Sequence, residues 1–139
     1  MTEGNSRNAS KQTAHLRMGE RGEDLAAAYL REKGWEIETR NYTTDHGEID
    51  IVARRAVREG TLIAFVEVKS RKSSEMNPPE LSVTARKRRT ITGVARRYAA
   101  QFERRDTGYR FDVITVDMSE DPPAIHHFEG AFDSQGNPY

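Results

Sequence analysis

The chain has 139 residues, the length of one domain with a single modest core. Its 22 Lys and Arg balance 22 Asp and Glu, which counts against a surface that grips nucleic acid all over and leaves a local patch as the alternative. It has no run of about 18 apolar residues to cross a membrane. With no Cys it can form neither disulfides nor a thiolate zinc site, which fits a reducing cytoplasm.

Residues 1–13 read as a disordered arm, Asn/Ser/Thr-rich and without the apolar stretch of a secretory signal. From about His15 to Lys33, Leu16, Gly19, Glu23, Ala26/Ala27 and Leu30 fall on one helical face, and Gly34 ends the helix. Trp35 to Thr39 alternates as a half-buried strand. Gly47 to Arg54 is a second strand, entered through an Asp45-His46-Gly47 turn. A polar hairpin loop closing at Gly60 leads to Thr61–Lys69, apolar enough for the centre of a sheet. A polar loop with Pro78-Pro79 follows. The next helix runs from about Val83 to Arg104, with Ile91, Val94/Ala95, Tyr98 and Phe102 on its core face. Tyr109–Val116 is a fourth strand, and the remainder is a tail with one short element around Ile125–Phe132. The order α-β-β-β-α-β predicts an α/β fold, a small mixed sheet with helices packed on it. The domain is expected over 14–133, with 134–139 as a tail.

Three charges interrupt two otherwise apolar strands, and burying unpaired charge is costly without a partner, a metal or a function. Alternation places Glu48, Asp50 and Val52 on one face, and Ile63, Phe65, Glu67 and Lys69 on one face of the next strand. If those faces coincide, Asp50 and Glu67 converge, with Lys69 two residues on. Carboxylate oxygens of this kind suit Mg²⁺ or Mn²⁺. Such an ion would polarise a phosphoryl oxygen and lower the pKa of a bound water, with Lys69 holding that water or balancing charge on phosphorus. Glu23 interrupts the apolar stripe of the first helix and is a candidate for the same ion.

Gly22-Glu23, Arg40-Asn41-Tyr42, Gly47-Glu48-Ile49-Asp50-Ile51, Phe65-Val66-Glu67-Val68-Lys69-Ser70-Arg71 and Arg110-Phe111-Asp112-Val113 occur in that order. Over roughly residues 14–133 this series resembles the bacterial UPF0102 (YraN-type) family. That family is similar in turn to archaeal Holliday-junction resolvases and the PD-(D/E)xK nuclease superfamily. The resemblance implies a restriction-endonuclease-like αβββαβ core. It makes Asp50 and Glu67 metal ligands, Lys69 the catalytic lysine and Glu23 an accessory acid. The expected activity is Mg²⁺- or Mn²⁺-dependent cleavage of DNA, branched or otherwise structure-defined, by a cytoplasmic enzyme whose junction substrates would call for a homodimer. The alternative classes are a non-catalytic nucleic-acid-binding protein on the same fold and a structural partner subunit.

Competing readings apply to several neighbours. Glu23 is either a ligand or the partner of Arg40 or Lys69. Glu48, at its strand's entry, reads as solvated or turn-capping. Arg40 and Arg71 flank the site as phosphate contacts or as surface charge. Lys87 shares the core-side stripe with Val83 and Ile91, as a phosphate contact or a snorkelling lysine. Arg86, Arg89, Arg97 and Arg104 share an outward stripe with few balancing acids, either a solvated face or a contact for phosphates. Asp112 is expected to pair with Arg110. His126-His127 has no acidic partner at metal spacing.

Overall fold

The computed structural model describes residues 3–72 and 83–138, with side chains from residue 17 onward within them. Helix α1 spans Glu3–Glu32, so it begins inside the stretch expected to be a disordered arm. It closes where expected: Gly34, at φ 93°, takes the left-handed position, and Trp35 N–H bonds back to the Leu30 carbonyl at 2.9 Å. Strands β1 (Glu36–Thr44), β2 (Gly47–Val57) and β3 (Gly60–Arg71) form an antiparallel meander. Helix α2 (Ala85–Ala100) crosses to β4 (Thr107–Asp117), which pairs parallel to β3. The element expected near Ile125–Phe132 is a full fifth strand, β5 (Ala124–Phe132), antiparallel to β4. The chain is thus α/β, with one mixed sheet ordered β1-β2-β3-β4-β5 and β3 at its centre. No helix among the described residues is long and apolar enough to cross a membrane. The loop expected to carry Pro78-Pro79 lies largely outside the described residues.

Alternation along β3 distributes the core to both faces. Ile63 and Phe65 join Val52, Val94, Tyr98 and Phe111 in one cluster; Ala64 and Val66 join Ala26, Leu30, Ile51 and Ile114 in the other. The first cluster lies under α2 and the second under α1. Glu67 and Lys69 continue the Ile63–Phe65 row, so the strand itself aims them to the α2 side. Thr84 caps α2, its hydroxyl accepting from Lys87 N–H at 3.1 Å. Because α2 ends at Ala100, Phe102 is not a core residue; it is 41% exposed. Arg104 likewise leaves the expected outward stripe. It ion-pairs at 2.5 Å with Glu38, the residue skipped by the register at a bulge in β1, which also accepts the Tyr98 hydroxyl.

Candidate active site at a fork in the sheet

The β2–β3 ladder runs from Val57↔Gly60 to Ile51↔Val66 and goes no further, although β3 stays paired to β4 as far as Arg71↔Asp117. Asp50 is the first β2 residue past the fork. Its Oδ2 accepts the Val68 N–H at 2.8 Å, so a carboxylate replaces the missing strand partner. A fork of this kind lets side chains from both faces meet. Glu67, 4% exposed, stands beside Asp50, and its Oε1 receives two ammonium groups, Lys87 at 2.5 Å and Lys69 at 3.8 Å. Lys87 therefore reaches in from α2 as an ion-pair partner of Glu67 while its side chain stays 42% exposed, a placement compatible with either of its expected roles.

From the α1 side, Glu23 reaches the same place. One oxygen each of Glu23, Glu48 and Asp50 lie within 4.8 Å of one another. Glu48, read from the sequence as a solvated strand-entry residue, is a member of the acid cluster. Asn41 completes it. With its amide nitrogen turned towards the acids, it donates to Glu23 Oε2 at 2.9 Å and Glu48 Oε1 at 3.0 Å. It does so from a left-handed backbone, φ 52°, a conformation asparagine tolerates better than most residues. The sequence signal for Asn41 was slight: an asparagine inside a strand, where it is disfavoured. Gly22 explains how α1 comes close enough, since a Cβ there would lie 1.9 Å from the Ser70 hydroxyl of β3.

The electrostatics record an excess of negative charge. Burial, then the Asp50 and Glu48 carboxylates, push Glu23 up to about 7. Burial, then Glu67, push Asp50 up to about 7. The two lysines diverge. Burial and the neighbouring Lys87 ammonium lower Lys69, whereas for Lys87 burial, the largest single effect, is outweighed by the attractions of Glu67 and Asp50 and its hydrogen bonds taken together, which raise it. Lys87 thus holds Glu67, and Lys69 is the ammonium closer to giving up its proton.

The remaining expected contacts divide. Arg40 is engaged inside the protein, 2.7 Å from Asp24 and 4.0 Å from Glu23. Arg71 lies opposite Asp117 at the end of the β3–β4 ladder. Arg86 and Arg89 line a separate cavity on the flank of α2. Asp112 pairs with Arg110 at 2.9 Å as expected. His127, however, does have an acidic partner: its Nε2 is 2.7 Å from Asp112 Oδ2, brought there by β5 pairing with β4. Trp35 and Tyr29 flank this network, away from the acid cluster.

Fold and site together define an α/β domain that gathers four carboxylates and two lysines where its sheet forks. Residues 22–116 match the model of the uncharacterised protein family UPF0102, and the chain belongs to that family. It is 42% identical over 116 residues to a UPF0102 protein of Geobacter metallireducens, covering 84% of this chain and 92% of the relative. It is 39% identical to UPF0102 proteins of Anaeromyxobacter dehalogenans, over 87% of both chains, and of Rhodococcus opacus, over 85% of this chain and 98% of the relative.

Proposed function

We propose that this chain is a divalent-cation-dependent phosphodiesterase that cleaves DNA, on a restriction-endonuclease-like αβββαβ core to which β5 is added. The observation that carries the reading is the meeting of Asp50, Glu67, Glu23 and Glu48 at the fork with Lys69 alongside. The donor set suits Mg²⁺ or Mn²⁺: all are hard carboxylate oxygens, and Glu23 and Asp50 are raised by burial and then by neighbouring carboxylates, a cost that a bound cation would relieve. Asp50, Glu67 and Glu23 would hold the ion, joined by Glu48. Bound there, the ion would supply Lewis-acid polarisation of a phosphoryl oxygen and a more acidic water.

The protein's own groups have separable tasks. Val68 N–H fixes Asp50 by one oxygen, leaving the other to turn to a ligand. Lys87 fixes Glu67 by Oε1, leaving Oε2. Because Lys87 rather than Lys69 is the tight partner of Glu67, Lys69 can turn to substrate. Its lowered pKa suits a group that orients the attacking water or neutralises charge growing on phosphorus. Asn41 holds Glu23 against Glu48 and so sets the position of the acid from α1.

Incubation of supercoiled plasmid and of branched DNA with Mg²⁺ or Mn²⁺ tests this. Nicking or cleavage is expected, reduced at least about 100-fold by Asp50→Ala and by Lys69→Ala. The second reading, nucleic-acid binding without turnover, is favoured by the basic, acid-free α2. It takes over if DNA binds in a salt-sensitive way and neither ion produces cleavage.

A further inference from the structure

Helix α2 carries Arg86, Lys87, Arg88 and Arg89 in its first turns and Arg96 and Arg97 near its end, without one acidic residue. Cations at a helix N-terminus oppose the helix dipole, so this placement is unfavourable for the isolated fold. Lys87 is compensated by Glu67. Arg88 donates to the Gly136 and Val83 carbonyls. Arg86, Arg89 and Arg97 make no ion pair among the described residues. They converge instead, with His46, Thr90 and Gly93, on a cavity of about 360 Å³.

Gly93 is the second, independent sign. It sits in the middle of α2, where glycine costs stability relative to alanine. Packing gives no reason for it: a Cβ at this position would meet nothing within 4 Å. No neighbour requires this glycine, and it leaves the wall of the arginine-lined cavity without a side chain at that point. The cavity's place bears on its occupant. His46 is two residues before Glu48, Thr90 lies against Gly47, and Lys87 on the same helix holds Glu67. Cavity and acid cluster are flanked by the same turn and the same helix.

We propose that this cavity is a phosphate-anchoring subsite that takes a backbone phosphate of the nucleic-acid strand whose scissile group lies at the fork. The three guanidinium groups supply the charge and the forked donors, His46 can supply a further polar contact, and Gly93 lets the sugar–phosphate chain pass close to the helix. The inference rests on the nucleic-acid reading of the site, but it concerns binding and is separable from cleavage.

The test is fluorescence anisotropy of a labelled DNA oligonucleotide across a salt series without divalent cation, using the full chain. Gly93→Glu should leave the thermal midpoint unchanged or higher, weaken binding at least 10-fold, and reduce the slope of log affinity against log salt. Arg97→Ala should reduce that slope by about one, with Arg97→Lys restoring most of it. Asp50→Asn should lose cleavage and keep binding. If Gly93→Glu and Arg97→Ala bind as the wild type does while plasmid is still cleaved, the subsite is overturned and the enzyme stands. If both weaken binding and no ion gives cleavage, the subsite stands and the enzyme reading falls. Inorganic phosphate or an acidic peptide competing at the oligonucleotide's own concentration would make the occupant a small anion or a protein, and would overturn the proposal.

Discussion

At the residue scale, the fork holds carboxylates that are partly buried and crowded against one another. Asp50 and Glu23 are both pushed up to about 7, Glu23 by burial and then by Asp50 and Glu48, Asp50 by burial and then by Glu67. Holding them ionised near neutral pH destabilises the fold, and the ordinary cost of a strained functional site is stability. Asp50→Asn should therefore raise the thermal midpoint of the cation-free protein, by about 1 kcal/mol or ~3 °C for a chain of this size. The same substitution should remove any stabilisation by Mn²⁺ seen in the wild type. Scanning calorimetry with and without the ion reads both effects; a lowered midpoint in the variant would contradict the repulsion argument.

Asp112 shows the opposite sign. Burial pushes its carboxyl up, but hydrogen bonds from His127, Arg110 and the Gly130 N–H together outweigh burial, so it titrates below the ordinary carboxylate range. In the unfolded chain it titrates near the usual aspartate value of about 3.9. Its contribution is complete above that pH and is lost as pH falls through the lower folded value. Asp112→Asn should cost about 3 kcal/mol at pH 7, as expected when one member of a buried charge network is removed. The gap between variant and wild type should close below about pH 4, measured by denaturant unfolding across pH. A gap of constant size would mean that packing, not charge, is what Asp112 contributes.

At the element scale, the question is how α1 and α2, on opposite faces, act on one point. Gly22 lets α1 approach β3, where the Ser70 hydroxyl donates to the Met18 carbonyl at 3.2 Å. Gly22→Ala would force that hydroxyl aside and lift α1 where it carries Glu23. Expected are a loss of about 1–3 kcal/mol from overpacking and a fall in cleavage larger than this instability explains, checked by assaying well below the variant's melting midpoint. Unchanged cleavage would show that Glu23 is dispensable. Gly47 does the same for α2, since a Cβ there would come within 2.4 Å of Thr90 Cγ2.

Much of this scale was legible in the sequence, because period and punctuation are local. The Gly34 stop, the β2 and β3 strands and the central place of β3 follow from alternation and turn residues. What was misread needed distant partners. The element at Ile125–Phe132 was expected, but not its type or its place in the sheet, because its alternation is weak and its register with β4 shifts between Phe111 and Val113. His127 seemed unpartnered because its acid lies 15 residues earlier on another strand. Arg104 fell on an outward helical stripe only if the helix continued, and it stops at Ala100. Asp50, Glu67 and Lys69 were legible as charges out of place in apolar strands. Lys87 was legible as a lysine on the core-side stripe, though not its partner Glu67; Glu48 and Asn41 were not, because an exposed strand entry and a strand asparagine acquire meaning only when the sheet forks.

At the scale of the whole molecule, β3 is the backbone of the arrangement. It is paired along its length to β4 but abandoned by β2 after Ile51↔Val66, so one edge opens while the strand stays rigid. Two helices from opposite faces then contribute to the opening, Glu23 from α1 and Lys87 from α2, and the arginine cavity continues along the flank of α2. Neutral net charge is compatible with this, because charge is distributed locally: four carboxylates meet at the fork, and Arg86, Arg89 and Arg97, without an ion pair among the described residues, lie along the neighbouring helix. Neutralising Arg86 and Arg89 together should weaken DNA binding several-fold with little change in melting midpoint, as salt-dependent titration and calorimetry would show.

The claim beneath all of this is that the gathered oxygens of Asp50 and Glu67 belong to one divalent cation. Anomalous diffraction from crystals of the chain with DNA and Mn²⁺ addresses it without relying on turnover. The account expects a single strong peak about 2.1 Å from an oxygen of each residue, with Glu23 or Glu48 bound directly or through water. Ordered DNA at the fork with no anomalous peak between the two acids would contradict it.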